Sequence, residues 1–171
     1  VVDKFIENYN SKITDEMKQR AKTLGYTMDQ MMTLASVIQK ECDADIDECA
    51  NVSSVFHNRL KDPASFPKLE SDVTTFYISQ NLKDVIGYQD GVALENQNDE
   101  VKKYMELYST YYRSGLPVGP ICNPGLKAIN AALHPAETNY VFFLTDESGE
   151  HFYYASTIAE HNANGVKAGL F

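Results

Sequence analysis

The chain has 171 residues, 43% of them apolar and 23% charged, which is ordinary for a globular protein and enough for one domain with a sizeable core. A formal net charge of −9 argues against a general nucleic-acid binder and against electrostatic docking on anionic membrane, since both need a basic face. No apolar run approaches the ~18 residues of a membrane span, and no signal peptide is visible. The sequence opens on Val1-Val2-Asp3 without an initiator Met, so it is expected to be a fragment whose missing targeting signals say nothing about the parent protein.

The start of the chain reads as helical. Val2, Phe5, Ile6 and Tyr9 recur at helical spacing, residues 13–17 start a second run, and Gly25 is a C-terminal stop. Thr27 and Gln30 form a capping box for a helix over Met28–Glu41, with Met31, Leu34, Ala35 and Ile38 as its apolar stripe. Glu41 falls on the edge of that stripe, beside Leu34, Val37 and Ile38, and Lys40 points away. Residues 43–47 are an acidic turn, and Asp45 with Glu48 starts a helix reaching Leu60. Val52, Val55 and Phe56 form the stripe of that helix, and Arg59 falls within it. An Arg among core positions normally holds a carboxylate.

Residues 61–68 form a loop with Pro63 and Pro67, and residues 69–74 form a loop dense in side-chain oxygens. Residues 83–98 are polar and read as a surface excursion, either a docking site or a solvated insertion. Residues 95–108 are helical, and 111–120 are rigid and turn-rich. Asn123 caps a helix opened by Pro124 and running to about Leu133. Residues 140–144 and 151–154 are strands of a β-hairpin, and 157–163 form a closing helix. Helices dominate and the hairpin comes late, so the class is α+β, one helix-rich domain over residues 1–171.

A carboxylate at the rim of an apolar face is partly desolvated, and its pKa rises. That suits Glu41 to general-acid work near neutral pH, although a helix-end Glu can also simply snorkel to water. There is no Trp, but there are 11 Tyr and 8 Phe. Tyr suits both carbohydrate grooves and half-buried packing. The three cysteines, Cys42, Cys49 and Cys122, cannot all pair within the chain. One helix through Cys42 and Cys49 would hold them roughly 10 Å apart, too far for a disulfide, whereas a break at 43–47 brings them together. No Cys or His spacing suggests a metal, and no cofactor is expected.

Six blocks then occur in one order. They are Leu34-Ala35-Ser36-Val37-Ile38-Gln39-Lys40-Glu41, Val55-Phe56-His57-Asn58-Arg59-Leu60, Leu69-Glu70-Ser71-Asp72-Val73-Thr74, Tyr108-Ser109-Thr110-Tyr111, Gly115-Leu116-Pro117-Val118-Gly119-Pro120-Ile121-Cys122-Asn123-Pro124-Gly125 and Glu160-His161-Asn162. In these blocks the chain resembles the catalytic domain of the bacterial endolytic murein transglycosylase, or YceG-like, family. The resemblance implies an enzyme anchored on the outer face of the cytoplasmic membrane that cuts nascent peptidoglycan strands internally and leaves 1,6-anhydro-N-acetylmuramic acid ends. It implies cell-wall synthases as possible partners, and a membrane helix and a LysM-like module outside this chain. The family's catalytic Glu ends a Glu-Lys-Glu-like motif, here Gln39-Lys40-Glu41, so Glu41 inherits that role in a lysozyme-like placement at a helix end. Gln39 departs from the first Glu of that motif, Glu70 from a Gln, Val73 from a Pro, Ser109 from an Asn and Val118 from a Pro.

One carboxyl suffices for this chemistry, because the sugar's own C6 hydroxyl attacks C1 and no water enters. Glu70 is a candidate substrate-binding residue, and Ser71, Asp72 and Thr74 are expected to bind sugar hydroxyls, orient Glu41 or cap a turn. Asn58 either bonds an N-acetyl group or caps a helix end, and Tyr111 either stacks under a sugar or packs. Arg59 is expected to pair with Asp72 and hold the 69–74 loop against the Glu41 helix. A muramidase-type hydrolase is the rival enzyme, with Glu70 or Asp72 as a second carboxylate about 5–9 Å from Glu41. A non-catalytic glycan-binding scaffold is the third reading.

Overall fold

Side-chain caps written into the sequence set most helix starts. The computed structural model describes residues 2–170, with the side chains of Val2 and Phe5 outside the described set, so that part of the expected first stripe lies outside the described residues. In chain order the elements are α1 (Val2–Lys12), α2 (Asp15–Thr23), α3 (Met28–Glu41), α4 (Ile46–Lys61), α5 (Asp72–Phe76), a π-helical turn (Tyr77–Asn81) and α6 (Lys83–Ile86). A 3₁₀ turn (Leu94–Asn96), α7 (Asp99–Tyr108), α8 (Leu126–Leu133), β1 (Phe142–Thr145), β2 (Phe152–Ala155) and α9 (Ile158–Lys167) follow. Thr14, Thr27, Asp45, Asn98 and Thr157 each accept a backbone N–H of the first turn they precede. At Thr27 the Gln30 amide reciprocates, completing the expected capping box. The class is α+β, as expected, with one antiparallel hairpin in register Phe142↔Ala155 to Thr145↔Phe152.

The main core is α3 laid against α8 and α4. Met31, Leu34, Ala35, Val37 and Ile38 are fully buried there, with Phe56 and Val52 from α4. Ala128, Ala131 and Ala132 give α8 a low-relief face against these two helices. A second, smaller core joins Ile78, Ile86, Val101 and Met105. It ties down residues 83–98, which the sequence reads as a plain excursion. Gln97, 4% exposed, donates to the Gln89 and Val92 carbonyls and so closes that segment on itself.

Three local expectations need correction. Residues 95–98 are a 3₁₀ turn and a cap rather than the start of a helix, because Asn98 caps α7 at the Val101 N–H. The 69–74 loop already contains the first residues of α5, at whose N-cap Ser71 sits without making a side-chain cap bond. Asn123 is not the cap of α8, which begins after Gly125. The N-cap is Gly125, whose N–H donates to Gln39 Oε1 of α3 at 3.0 Å. An added Cβ at Gly125 would lie 3.3 Å from that oxygen, a tight contact that the Gln39 side chain would have to relax.

The chain breaks helix at Cys42, whose backbone is extended (φ −135°, ψ 112°), and restarts at the Asp45 cap. The break brings Cys42 and Cys49 to a Cα–Cα distance of 5.6 Å, where they form a disulfide, and Cys122 stays a free thiol. Among the described residues no helix is long and apolar enough to cross a membrane.

Arg59 is 6% exposed and braces three segments at once. Its Nε donates to the Val141 carbonyl at 2.7 Å, and Nη1 donates to the Lys68 and Leu69 carbonyls at 3.2 and 3.1 Å. Phe66 and Phe142 flank the guanidinium at 5.4 and 5.1 Å. Its carboxylate partner is Glu70 at 3.0 Å, which corrects the expected Asp72. Glu70 has a left-handed backbone (φ +55°), and after that reversal Asp72 heads α5, where it accepts from the Tyr111 hydroxyl instead.

The two partners are unequal. Arg59→Ala strips donors from three carbonyls and is expected to cost ~3–5 kcal/mol, at ~1–3 kcal/mol for each buried group left unsatisfied. Glu70 is half exposed, so Glu70→Gln is expected to cost no more than ~1 kcal/mol. Urea unfolding of both variants checks this, and equal losses would contradict the assignment of Arg59 as the buried brace.

Candidate active site

Glu41 is the last residue of α3, partly buried at the rim of the core that Leu34, Val37 and Ile38 fill. Ser71 Oγ donates to Glu41 Oε1 at 2.5 Å. Burial pushes the Glu41 carboxyl up, the Ser71 hydrogen bond pulls it back, and the nearby Asp72 charge adds a smaller rise. The net pKa is about 6, against an ordinary 4.5. The Ser71 hydroxyl is thus committed to Glu41, which is why it leaves α5 uncapped.

Ser71 is itself held by two buried hydroxyls. Its N–H donates to Thr110 Oγ1 at 2.9 Å, and its carbonyl accepts from Thr74 Oγ1 at 2.6 Å. The Thr110 N–H donates to Thr74 Oγ1 at 3.0 Å, closing the network. Thr74 and Thr110 are fully buried. Thr74 therefore stands behind the site rather than on its surface. Thr110 carries no sequence expectation, although it lies beside Tyr111 in the same block.

Glu41 opens on a cleft of about 780 Å³. Glu70, Ser71, Asp72 and Tyr111 line it on the Glu41 side, brought together as the sequence anticipates. Tyr111 Oη donates to Asp72 Oδ1 at 2.7 Å. Burial and that acceptor push the phenol well above its usual range, so it stays protonated and keeps donating. Asn58 is not on the wall: its amide donates to the Thr138 and Tyr140 carbonyls at 3.0 and 2.9 Å and fixes the approach to β1.

The opposite wall has no counterpart in the sequence expectations. It is built from β1, with Phe142 and Leu144, from Asp146 just after it, and from α9, with Ile158 and His161. The His161 ring stacks on Phe142 at 5.1 Å. Burial and the Arg59 charge lower its pKa, leaving a neutral imidazole on the cleft. The only hint in the sequence is the Glu160-His161-Asn162 block. Among the described residues, no cluster of three His, Cys, Asp or Glu side chains could hold a metal ion.

The geometry places one proton-bearing carboxyl, oriented by a serine, in a cleft with aromatic and polar walls. That arrangement can protonate an ether-type leaving oxygen and take a proton back. The chain's likeness to known proteins bears on it. The sequence profile of the YceG-like family matches residues 1–167. The chain is 33% identical over 162 residues to the endolytic murein transglycosylase of Bacillus subtilis (strain 168), covering 95% of this chain and 40% of that protein. It is 27% identical over 163 residues to the endolytic murein transglycosylase of Streptococcus pneumoniae serotype 2 (strain D39), covering 95% of this chain and 26% of that protein. The chain thus spans less than half the length of these relatives. The crystal structure of a YceG-like protein from Listeria monocytogenes superimposes with a TM-score of 0.68 at 26% identity, covering 94% of this chain and 46% of that one.

The raised Glu41 pKa has a measurable consequence. The folded protein holds this proton more tightly than the unfolded chain, so stability falls as pH rises from 4.5 to about 6 and stays lowered above it. Glu41→Gln is expected to be more stable than the wild type at about pH 8 by up to ~2 kcal/mol, with the gap closing below about pH 4.5. Urea denaturation at the two pH values tests this, and a pH-independent gap would contradict it. Ser71→Ala should move the Glu41 midpoint above about 6 in a carboxyl NMR titration, and a downward shift would contradict the role of the serine hydrogen bond.

Proposed function

The chain belongs to the YceG-like family, and on that premise we propose that it cleaves peptidoglycan glycan strands internally as a lytic transglycosylase with Glu41 as its acid and base. The observation that carries this reading is the partly buried Glu41 carboxyl, bonded to Ser71 on a cleft and protonated up to about pH 6. The names of the Bacillus and Streptococcus relatives support the substrate class.

On this reading residues 1–171 form the catalytic unit. Glu41 protonates the oxygen linking N-acetylmuramic acid to N-acetylglucosamine, and the C1–O bond breaks through an oxocarbenium-like state. The C6 hydroxyl of the same muramic acid attacks C1 and gives its proton to the Glu41 carboxylate. The 1,6-anhydro ring closes and Glu41 is protonated again, with no water consumed. Ser71 orients the carboxyl. Asp72 and Tyr111 form the rim of the sugar site. Phe142 and His161 oppose them across the cleft. The Cys42–Cys49 disulfide supports the outer-face location implied by the resemblance, because disulfides persist in oxidising compartments. Docking to cell-wall synthases and an N-terminal anchor belong to the same proposal and rest on the resemblance alone.

Glu70 and Asp72 share the cleft and keep a hydrolase as the second reading. Both are engaged, however, Glu70 by Arg59 and Asp72 by Tyr111, so neither is a free base for water. Glycan digests analysed by mass spectrometry separate the readings. The wild type should yield anhydro-muramic ends, and a folded Glu41→Gln variant should lose ~10²–10⁴-fold in rate. Reducing ends from the wild type would favour the hydrolase, no cleavage would favour a scaffold, and near-normal activity of Glu41→Gln would remove Glu41 from the mechanism.

A further inference from the structure

Glu41 occupies the least secure position in its helix. The final residues of an α-helix have carbonyls without intrahelical partners, and the last turn frays unless it is capped. Helices α2, α6 and α9 are each followed by a glycine with a left-handed backbone, Gly25, Gly87 and Gly169, with φ of +87°, +70° and +77°. Helix α3, like α4, α7 and α8, has no such residue. Cys42 runs straight into extended backbone, and no residue from 42 to 49 has a positive φ. Beyond the helix, Lys127 on α8 donates to the Ala44 and Asp43 carbonyls at 2.7 and 3.3 Å, but its side chain is more than a third exposed. Yet Glu41 must keep a 2.5 Å bond to Ser71, a residue of a different segment.

We propose that the Cys42–Cys49 disulfide takes the place of a helix cap and holds Glu41 on the cleft, making Cys42 and Cys49 positioning residues for the reaction. Both cysteines are 1% exposed. The bond joins the residue directly after Glu41 to the start of α4, the helix that also carries Arg59. It therefore fixes the acid relative to the helix that braces the opposite wall. Cutting it lets the last turn of α3 open, and water then reaches the Glu41 carboxyl. The charged and titratable groups lining the cleft with Glu41 are Asp72 at the start of α5, Tyr111, Glu70 with Arg59, Asp146 after β1, and His161 from α9, and the cysteine substitutions replace none of them. A dithiol reductant cuts the bond by taking it to two thiols with two electrons and two protons, and is itself oxidised to its own disulfide.

The proposal rests on Glu41 being the acid, and its test includes a measurement that does not. The Glu41 carboxyl is titrated by NMR in the wild type, in the wild type reduced with dithiothreitol, and in Cys42→Ala/Cys49→Ala, with thermal unfolding and steady-state glycan cleavage measured alongside. The expected result is a folded protein whose Glu41 midpoint falls from about 6 towards 4.5, with kcat lowered ~10–10²-fold and KM kept. A lower melting temperature with an unmoved Glu41 midpoint would show a structural staple only and overturn the proposal. Global unfolding on loss of the bond would overturn it as well, by making the disulfide a clamp on the whole fold. If Glu41→Gln proves active, the functional reading falls, while the titration still reports whether the disulfide holds the carboxyl in place.

Discussion

The hydrogen bond from Ser71 to Glu41 joins two segments distant in the chain, and much of the structure serves to keep it short. Burial drives the carboxyl towards its protonated form, and the serine hydroxyl opposes that drive by favouring the charged form. The balance leaves a group that gives up a proton near neutrality and accepts one again. On one side the bond depends on α3 being pinned by α8 and α4. On the other it depends on Ser71 being pinned by Thr74 and Thr110. Two buried threonines that never reach the cleft thereby set where the serine hydroxyl points.

Arg59 does for the cleft walls what Ser71 does for the acid. It ties α4 to the loop before α5 and to the backbone that leads into β1, so both walls share one fixed point. Packing of the guanidinium between Phe66 and Phe142, with His161 stacked on Phe142, continues that order into α9. The neutral state of His161 follows in part from this, because a second positive charge beside Arg59 is disfavoured. Asn58, one residue earlier on α4, ties down the same approach to β1 through the Thr138 and Tyr140 carbonyls.

What could be read from the sequence was mostly local. The Thr27–Gln30 box, the Asp45 cap, the apolar stripes of α3 and α4 and the hairpin all rest on contacts within a few residues, and they appear where the pattern puts them. The place of Glu41 on the edge of its stripe was legible for the same reason. What was not legible depends on partners far along the chain. Gln39 accepts from the Gly125 N–H at the start of α8 across a separation of 86 residues, and the helix begins two residues beyond the expected Asn123 cap. The left-handed backbone at Glu70 decides that Arg59 meets Glu70 and not Asp72, and no residue preference announces a Glu in that conformation. For Ser71 the sequence offers a sugar contact, a bond that orients Glu41 or a turn cap, and the packing of α3 against α5 selects the bond to Glu41. The hairpin wall of the cleft had no local signal, since runs of aromatics such as Phe142-Phe143 and Phe152-Tyr153-Tyr154 read as ordinary strand.

Chemistry without water is the most distinctive expectation drawn from a single oriented carboxyl, and isotope labelling reaches it directly. Glycan strands digested by the protein in H₂¹⁸O should yield new muramic ends that carry no ¹⁸O at C1, because the C6 oxygen of the same sugar closes the ring. Incorporation of ¹⁸O at the new C1 ends would show that water attacks there, and would contradict the assignment of Glu41 as the sole acid and base of an intramolecular transfer.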